Sequence, residues 1–377
     1  MEALLARSIE AFDREEWNAL FPGELEDWFY YRAVENAGIE GFEWIYLAVW
    51  DNGRLRAAVP GFVTDYRLDT TLSGTAKHVA GFVTRIAPRL LAIPLVSLGS
   101  PVGEICHLGF AANCNADERR ELASVLMNKL LDVARQRRIG MIAVKDASDD
   151  DDALWSAVCG AAGLRRMPGQ ATARLSLPFR RLEDYLASLG AATRKDMRRK
   201  LRARDALRVE WRSEIDDIID PVMALYRSTL AHAEYQFEEL TPAYFTGVLS
   251  DPHRRAFCVT YWLDRALIGF NLVLRDSTRL LDKFFGMDAV EGRAHNLYYL
   301  SWMENVRYCI EHGVPLYQSG QGLEREKRRL GSRLAPNWLW YRHRNRMVDR
   351  VFAAMERFFS LERSADEAKA STGTAGA

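Results

Sequence analysis

The residues that could do chemistry gather in the second half of the chain. Asp282 and Lys283 sit in the middle of an otherwise apolar run over residues 280–286. Strand alternation puts their side chains on opposite faces. A carboxylate aimed into a cleft can hold or deprotonate an amine, which makes Asp282 a candidate base. The plainer alternative is a salt bridge, since a strand-centre charge needs a partner when buried. Tyr317, Gln318, Gly320 and Gln321 follow at the end of a short strand over 315–318. A phenol and an amide there suit the orientation of an acyl carbonyl or an amine. Lys327, on the next helical stretch, is placed to meet a carboxylate or phosphate, although 324–329 also reads as a charged surface helix. His295 is a second candidate base, against the commoner structural role of a lone histidine. Asn296 is the better cap for the helix that follows. His232, Glu234 and Tyr235 form a polar loop placed to cover such a cleft.

Further upstream, Arg194, Lys195, Arg198, Arg199, Lys200, Arg202 and Arg204 lie within three helical turns. Helical spacing sets Arg194, Arg198 and Arg202 on one face and leaves Met197 and Leu201 for packing. So many like charges repel and require counter-charge. Donor phosphates could provide it, and so could local acids on a solvated face.

The elements that would position these groups can be read in order. Residues 1–36 read as helical, with a turn at Phe21-Pro22-Gly23. A hairpin follows, turning at Asp51-Asn52-Gly53, with Pro60-Gly61 suggesting a bulge or an edge. Residues 69–107 carry little periodicity and read as long loops over a cleft. A helix over 117–138, a strand over 139–145, a helix to about 162 and a strand over 170–177 complete a first unit. The second unit repeats the theme: the basic helix, strands over 207–211 and 255–263, a hairpin over 267–286, a helix over 296–311, the strand 315–318 and a last strand over 337–343. A closing helix over 347–361 and a small, polar, disordered tail over 364–377 are expected. The fold class predicted is α/β with mixed sheets, in two related modules, 1–172 and 173–363.

The order of elements in the second unit resembles the later half of the GNAT acyltransferase fold, in its FemAB/BioF2-like branch. The residues that carry the resemblance are Asp282-Lys283-Phe284-Phe285-Gly286, Asn296-Leu297-Tyr298-Tyr299, Tyr317 with Gly320, Lys327 with Gly331, and the basic run from Arg194 to Arg202. It implies two tandem GNAT-like modules and transfer of an acyl group from a thioester donor to an amine. Acyl-CoA or another carrier-linked acyl donor is then a co-substrate, with no permanently bound cofactor. Gly292-x-Ala294 resembles the pyrophosphate loop of the acetyltransferases, Arg/Gln-x-x-Gly-x-Gly/Ala, but Ala289 departs from it at the first position. On this resemblance Gly292, Asn296, Gly320, Lys327, Arg194, Arg198 and Arg202 are the donor-binding candidates, and Asp282, Tyr317, Gln318 and His295 the catalytic ones. Aminoacyl-tRNA is the alternative donor that FemAB relatives imply. A non-catalytic acyl-carrier or nucleic-acid binding module is the alternative of another class.

Composition excludes several other classes. Net charge is zero, so the chain as a whole is no polybasic binder. Cys106, Cys114, Cys159, Cys258 and Cys309 are scattered without paired spacing, which indicates neither a zinc site nor a disulfide framework. Buried thiols in a reducing cytoplasm are the expectation. The most apolar stretch, 86–102, contains Arg89 and is cut by Pro88, Pro94 and Pro101, so no membrane span is expected. The implied partners are a small-molecule or peptide amine and a donor carrier, either an acyl carrier protein or tRNA.

Overall fold

The computed structural model describes residues 1–67, 92–232 and 237–350. Glu234, Tyr235, the tail, most of the expected closing helix and, of the loops expected over 69–107, residues 69–91 lie outside the described residues. Two mixed sheets organise the rest. The first has the order β1-β2-β3-β4-β6-β15-β7, with β5 also on β3. Its strands are β1 (Glu2–Ala6), β2 (Phe42–Asp51), β3 (Arg54–Arg67), β4 (Ala92–Leu98), β5 (Gly109–Phe110), β6 (Met141–Ser148), β7 (Arg165–Pro168) and β15 (Asn337–His343). The second runs β14-β8-β13-β12-β11-β10-β9. It comprises β8 (Thr172–Ser176), β9 (Leu207–Arg212), β10 (Ala256–Leu263), β11 (Ala266–Arg275), β12 (Arg279–Met287), β13 (Leu316–Gln318) and β14 (Arg333–Ala335).

Each sheet contains one parallel pair, and each pair is joined through a helix, as a parallel connection requires. β4 and β6 are linked through Ala116–Gln136, and β12 and β13 through Leu297–Glu311. The parallel pairing ends early in both. It stops at Leu98↔Val144 in the first sheet and at Leu281↔Gln318 in the second. Beyond those points the strands part. This is the tandem GNAT arrangement.

Four features differ from the sequence reading. Residues 92–98, expected among the long loops over 69–107, form β4 inside the first sheet, between β3 and β6. Residues 2–6 form an edge strand on β2 rather than part of a helix, because five residues are too few to separate a 3.6 period from a period of 2. Pro60-Gly61 is neither bulge nor edge: β3 runs straight through, and a Cβ at Gly61 would stand 2.6 Å from the Ser97 carbonyl oxygen on β4. The largest difference is a strand crossing. β15 belongs by sequence to the second module but lies in the first sheet, between β6 and β7.

Two of the cores sit under the crossover helices. A third is shared by both halves. It joins Trp17, Tyr30, Tyr31 and Tyr46 to Tyr226, Phe245, Phe270 and Leu281. Polar ties cross the same boundary. Tyr30 and Tyr244 share a hydroxyl–hydroxyl bond of 3.1 Å, and Arg255 reaches Asp27 at 2.7 Å. No helix among the described residues is long and apolar enough to cross a membrane.

Candidate active site at the parting strands

β12 bends where its strands part. Leu272 pairs with Phe284 and Val273 with Asp282, so Lys283 is the extra residue of a β-bulge. Asp282 and Lys283 do face opposite ways. Asp282 points under the helix Leu297–Glu311. Its Oδ2 accepts from the Tyr317 hydroxyl at 2.9 Å and from Asn271 Nδ2 at 3.1 Å. Asn305 Nδ2 in turn donates to the Tyr317 oxygen at 3.0 Å. Burial raises the Asp282 carboxyl above its ordinary range, against the pull of Asn271, Lys327, Tyr317 and Lys283. Tyr317 is 1% exposed. The pair is therefore a buried network beneath a helix. Asp282→Asn is expected to destabilise by about 1–3 kcal/mol, since an amide oxygen is a weaker acceptor for the two donors and a new NH2 group enters a buried network built around a carboxylate. Urea denaturation measures this.

Gln318 lies on the other face of β13, apart from Tyr317. Its Nε2 donates at 3.1 Å to Glu104 Oε2, which comes from the first module. Glu104 stands on the loop that follows β4, where the first pair of strands parts. The loop is fastened into the second module: its backbone oxygen accepts from Asn337 Nδ2 at 2.9 Å and from Gln321 Nε2 at 3.3 Å. Gly320 makes room for it. Its φ of +78° suits glycine, and a Cβ there would lie 2.6 Å from Glu104 Oε1. Burial pushes the Glu104 carboxyl up to about 7, despite Lys283, Gln318 and Lys327 nearby.

A second carboxylate close by behaves in the opposite way. Glu26 is 4% exposed. Burial alone would raise it, but Lys283 and His107 hold it down at about 2. Lys283 donates to Glu26 and to the Val102 carbonyl, the latter at 2.9 Å. Two carboxylates in one site with pKa values driven apart are the pattern of divided acid and base roles.

The other residues singled out from sequence fall as follows. Lys327 donates to the carbonyls of Ser319, Gly320 and Gln321, at 2.5, 3.0 and 2.9 Å. All three ammonium protons are thus spent on shaping the turn after β13, rather than left for a phosphate. His295 bonds its own helical turn, Nδ1 to the Glu291 carbonyl at 2.9 Å, away from Asp282. His232 does the same with Ser228. Asn296 is left-handed, at φ 56°, and makes no side-chain cap. Gly292 sits in a short helix, Glu291–Ala294, where a Cβ would press on Met287 at 3.0 Å. The amides of Val290, Glu291, Gly292, Ala294, His295 and Asn296 all donate within this segment. A diphosphate would find those amides already engaged.

The basic helix, Ala191–Leu201, is partly neutralised by neighbours. Arg194 donates to the Ala187 carbonyl, and Arg198 lies 3.3 Å from Glu183. Arg199, Lys200 and Arg329 converge on Asp196, whose carboxyl they depress, and Arg204 pairs with Glu304. Lys195 and Arg202 are exposed and unpaired among the described residues.

A family model described as peptidoglycan biosynthesis/recognition, FemAB-like, matches residues 8–375. The chain belongs to the FemAB-like family. Solved structures share the fold of this FemAB-like chain at low identity. FemX is 12% identical with a TM-score of 0.55, covering 90% of this chain and 97% of its own. The C-terminal domain of a lysylphosphatidylglycerol synthetase from Agrobacterium fabrum is 15% identical with a TM-score of 0.53, covering 93% and 97%. A tandem GNAT protein from the clavulanic acid biosynthesis pathway is 14% identical with a TM-score of 0.51, covering 91% and 98%. No curated protein sequence matches. As a FemAB-like protein on the GNAT fold, the chain is a transferase of acyl or aminoacyl groups.

Sequence reasoning missed Glu104, His107 and Glu26. A signal for two of them existed: Glu104 and His107 are the only acidic or basic side chains in the apolar stretch 101–110.

Proposed function

We propose that this FemAB-like chain transfers an acyl group from a carrier-linked ester or thioester to the amine of a small molecule or peptide, with Glu104 as the general base. The observation that carries the reading is the place of the Glu104 carboxyl, held at 3.1 Å by Gln318 where the pairing of β12 and β13 ends; burial there pushes it up to about 7. A group poised near neutrality accepts and returns a proton with little cost in either direction. The amine nitrogen attacks the carbonyl carbon and a C–N bond forms. The amine proton passes to Glu104. The C–S or C–O bond then breaks, and the leaving group takes the proton back. Gln318 orients Glu104 throughout.

The engaged amides around Gly292 support a donor held through its carrier rather than through a diphosphate on that loop. An acyl carrier protein and aminoacyl-tRNA both fit, and free acyl-CoA fits least. The exposed cations of the basic helix support an anionic carrier. The buried free cysteines agree with a cytoplasmic location.

Melting the protein with CoA, acyl-CoA, acyl carrier protein and bulk aminoacyl-tRNA tests the donor, because a true donor raises the melting point by mass action. Transfer from the successful donor to an amine panel, read by mass spectrometry, tests the reaction. A shift with acyl-CoA alone overturns the carrier reading, and transfer from no donor overturns the reaction. Arg198 and Arg202 are exposed. Changing both to Glu is expected to weaken carrier binding about tenfold at low salt, with the difference vanishing at high salt.

A further inference from the structure

A line of alternating charge crosses between the modules and ends beside Glu104. Arg279 on β12 pairs with Glu24. Glu24 Oε2 lies 3.5 Å from His107 Nδ1, and His107 Nε2 lies 2.9 Å from Glu26 Oε2. Glu26 pairs through its other oxygen with Lys283. Lys283 in turn donates at 2.9 Å to the Val102 carbonyl, two residues before Glu104 on the same loop, and its charge acts on the Glu104 carboxyl. The order is plus, minus, His107, minus, plus, and then the base. His107 is the middle member, with a side chain 9% exposed. It sits three residues from Glu104 on the same loop.

We infer that His107 is a positioning residue for the transfer reaction: held between Glu24 and Glu26, it seats the Glu26–Lys283 pair against the loop that carries Glu104 and so sets the charge that the base meets. This rests on the reading of Glu104 given above. Glu24 and Glu26 on the loop before Trp28–Asn36 and Arg279 on β12 act on His107, while Lys283 on β12 and the phenols of Tyr30, Tyr31 and Tyr244 interact with Glu26 beside it. The two carboxylates dominate. They raise the imidazole above its ordinary range although burial opposes this. The placement between two carboxylates favours the imidazolium, and with it the line holds three cations against two carboxylates. Without His107, Glu24 and Glu26 are only balanced by Arg279 and Lys283, the line loses its excess positive charge, and the potential at Glu104 falls.

The test needs no substrate. Full-length protein labelled with 13C at glutamate carboxyls is titrated by NMR, and Glu104 is assigned by its loss in Glu104→Gln. The wild-type midpoint is expected near neutrality. His107→Gln removes a positive charge and should raise that midpoint by about half a pH unit. His107→Lys retains the charge and should restore it. Glu24→Gln removes a negative charge and should move it the opposite way; this milder variant also serves if His107→Gln does not fold. A merely structural role would not give opposite signs. A wild-type midpoint in the ordinary glutamate range overturns the base itself. A midpoint near neutrality that neither variant moves overturns only the role of His107.

Discussion

Glu104→Gln is expected to lower kcat/KM by about 10²–10⁴-fold, the range for loss of a positioned general base. The amide keeps the size and the contact with Gln318, so donor and acceptor KM should change little. In the wild type kcat/KM should rise with pH through a midpoint near 7, and in the variant this limb should vanish. Stability gives a second readout. The folded carboxyl is raised from its ordinary 4.5 to about 7. Glu104 therefore contributes stability fully below pH 4.5 and loses it as pH rises through 7. The variant should gain melting temperature over wild type at pH 8 relative to pH 5. A kcat/KM within threefold of wild type, with the pH limb retained, would remove Glu104 from the reaction.

Lys283→Met is expected to produce the largest loss of stability, about 3–5 kcal/mol, because it leaves a buried carboxylate short of its main partner. Glu26 keeps only His107, and the Val102 carbonyl is left with the longer Tyr30 hydroxyl contact at 3.5 Å. Urea denaturation at pH 7 measures the loss. The sign with pH follows from the depressed Glu26 carboxyl, which falls from 4.5 to about 2. Its contribution is complete above pH 4.5 and disappears as pH falls toward 2. Wild type and variant should therefore converge in acid. Adding Glu26→Gln should recover part of the loss. A single variant as stable as wild type would mean the pair contributes nothing net.

The second module was legible because its signals are local. Alternation placed Asp282 and Lys283 on opposite faces, and the structure keeps them there. The short strand at Tyr317 ended where the parallel pairing ends. Alternation applied again to Tyr317 and Gln318 would have separated them too, one into the core and one toward Glu104. The phosphate reading of Lys327 did not anticipate three carbonyls, because a turn that curls back on a lysine has no periodic signature. Glu26, Glu104 and His107 were hidden for a different reason. Their partners are far away in sequence, with Gln318 214 residues from Glu104 and Lys283 257 from Glu26. Nothing in a single stretch reports such a pairing.

The strand β15 gives the molecule a timetable. The chain leaves the ribosome N-terminus first, yet the first sheet waits for residues 337–343 before it closes. Until then β7 has no partner in the sheet and β6 has one open edge, the kind of edge that recruits other chains. The same strand supplies Asn337, whose amide fastens the Glu104 loop. The last strand among the described residues therefore both seals the first-made sheet and seats the proposed base. A chain stopped short of it is left unfinished in both respects at once, so the proposed base is seated only after residues 337–343 are made.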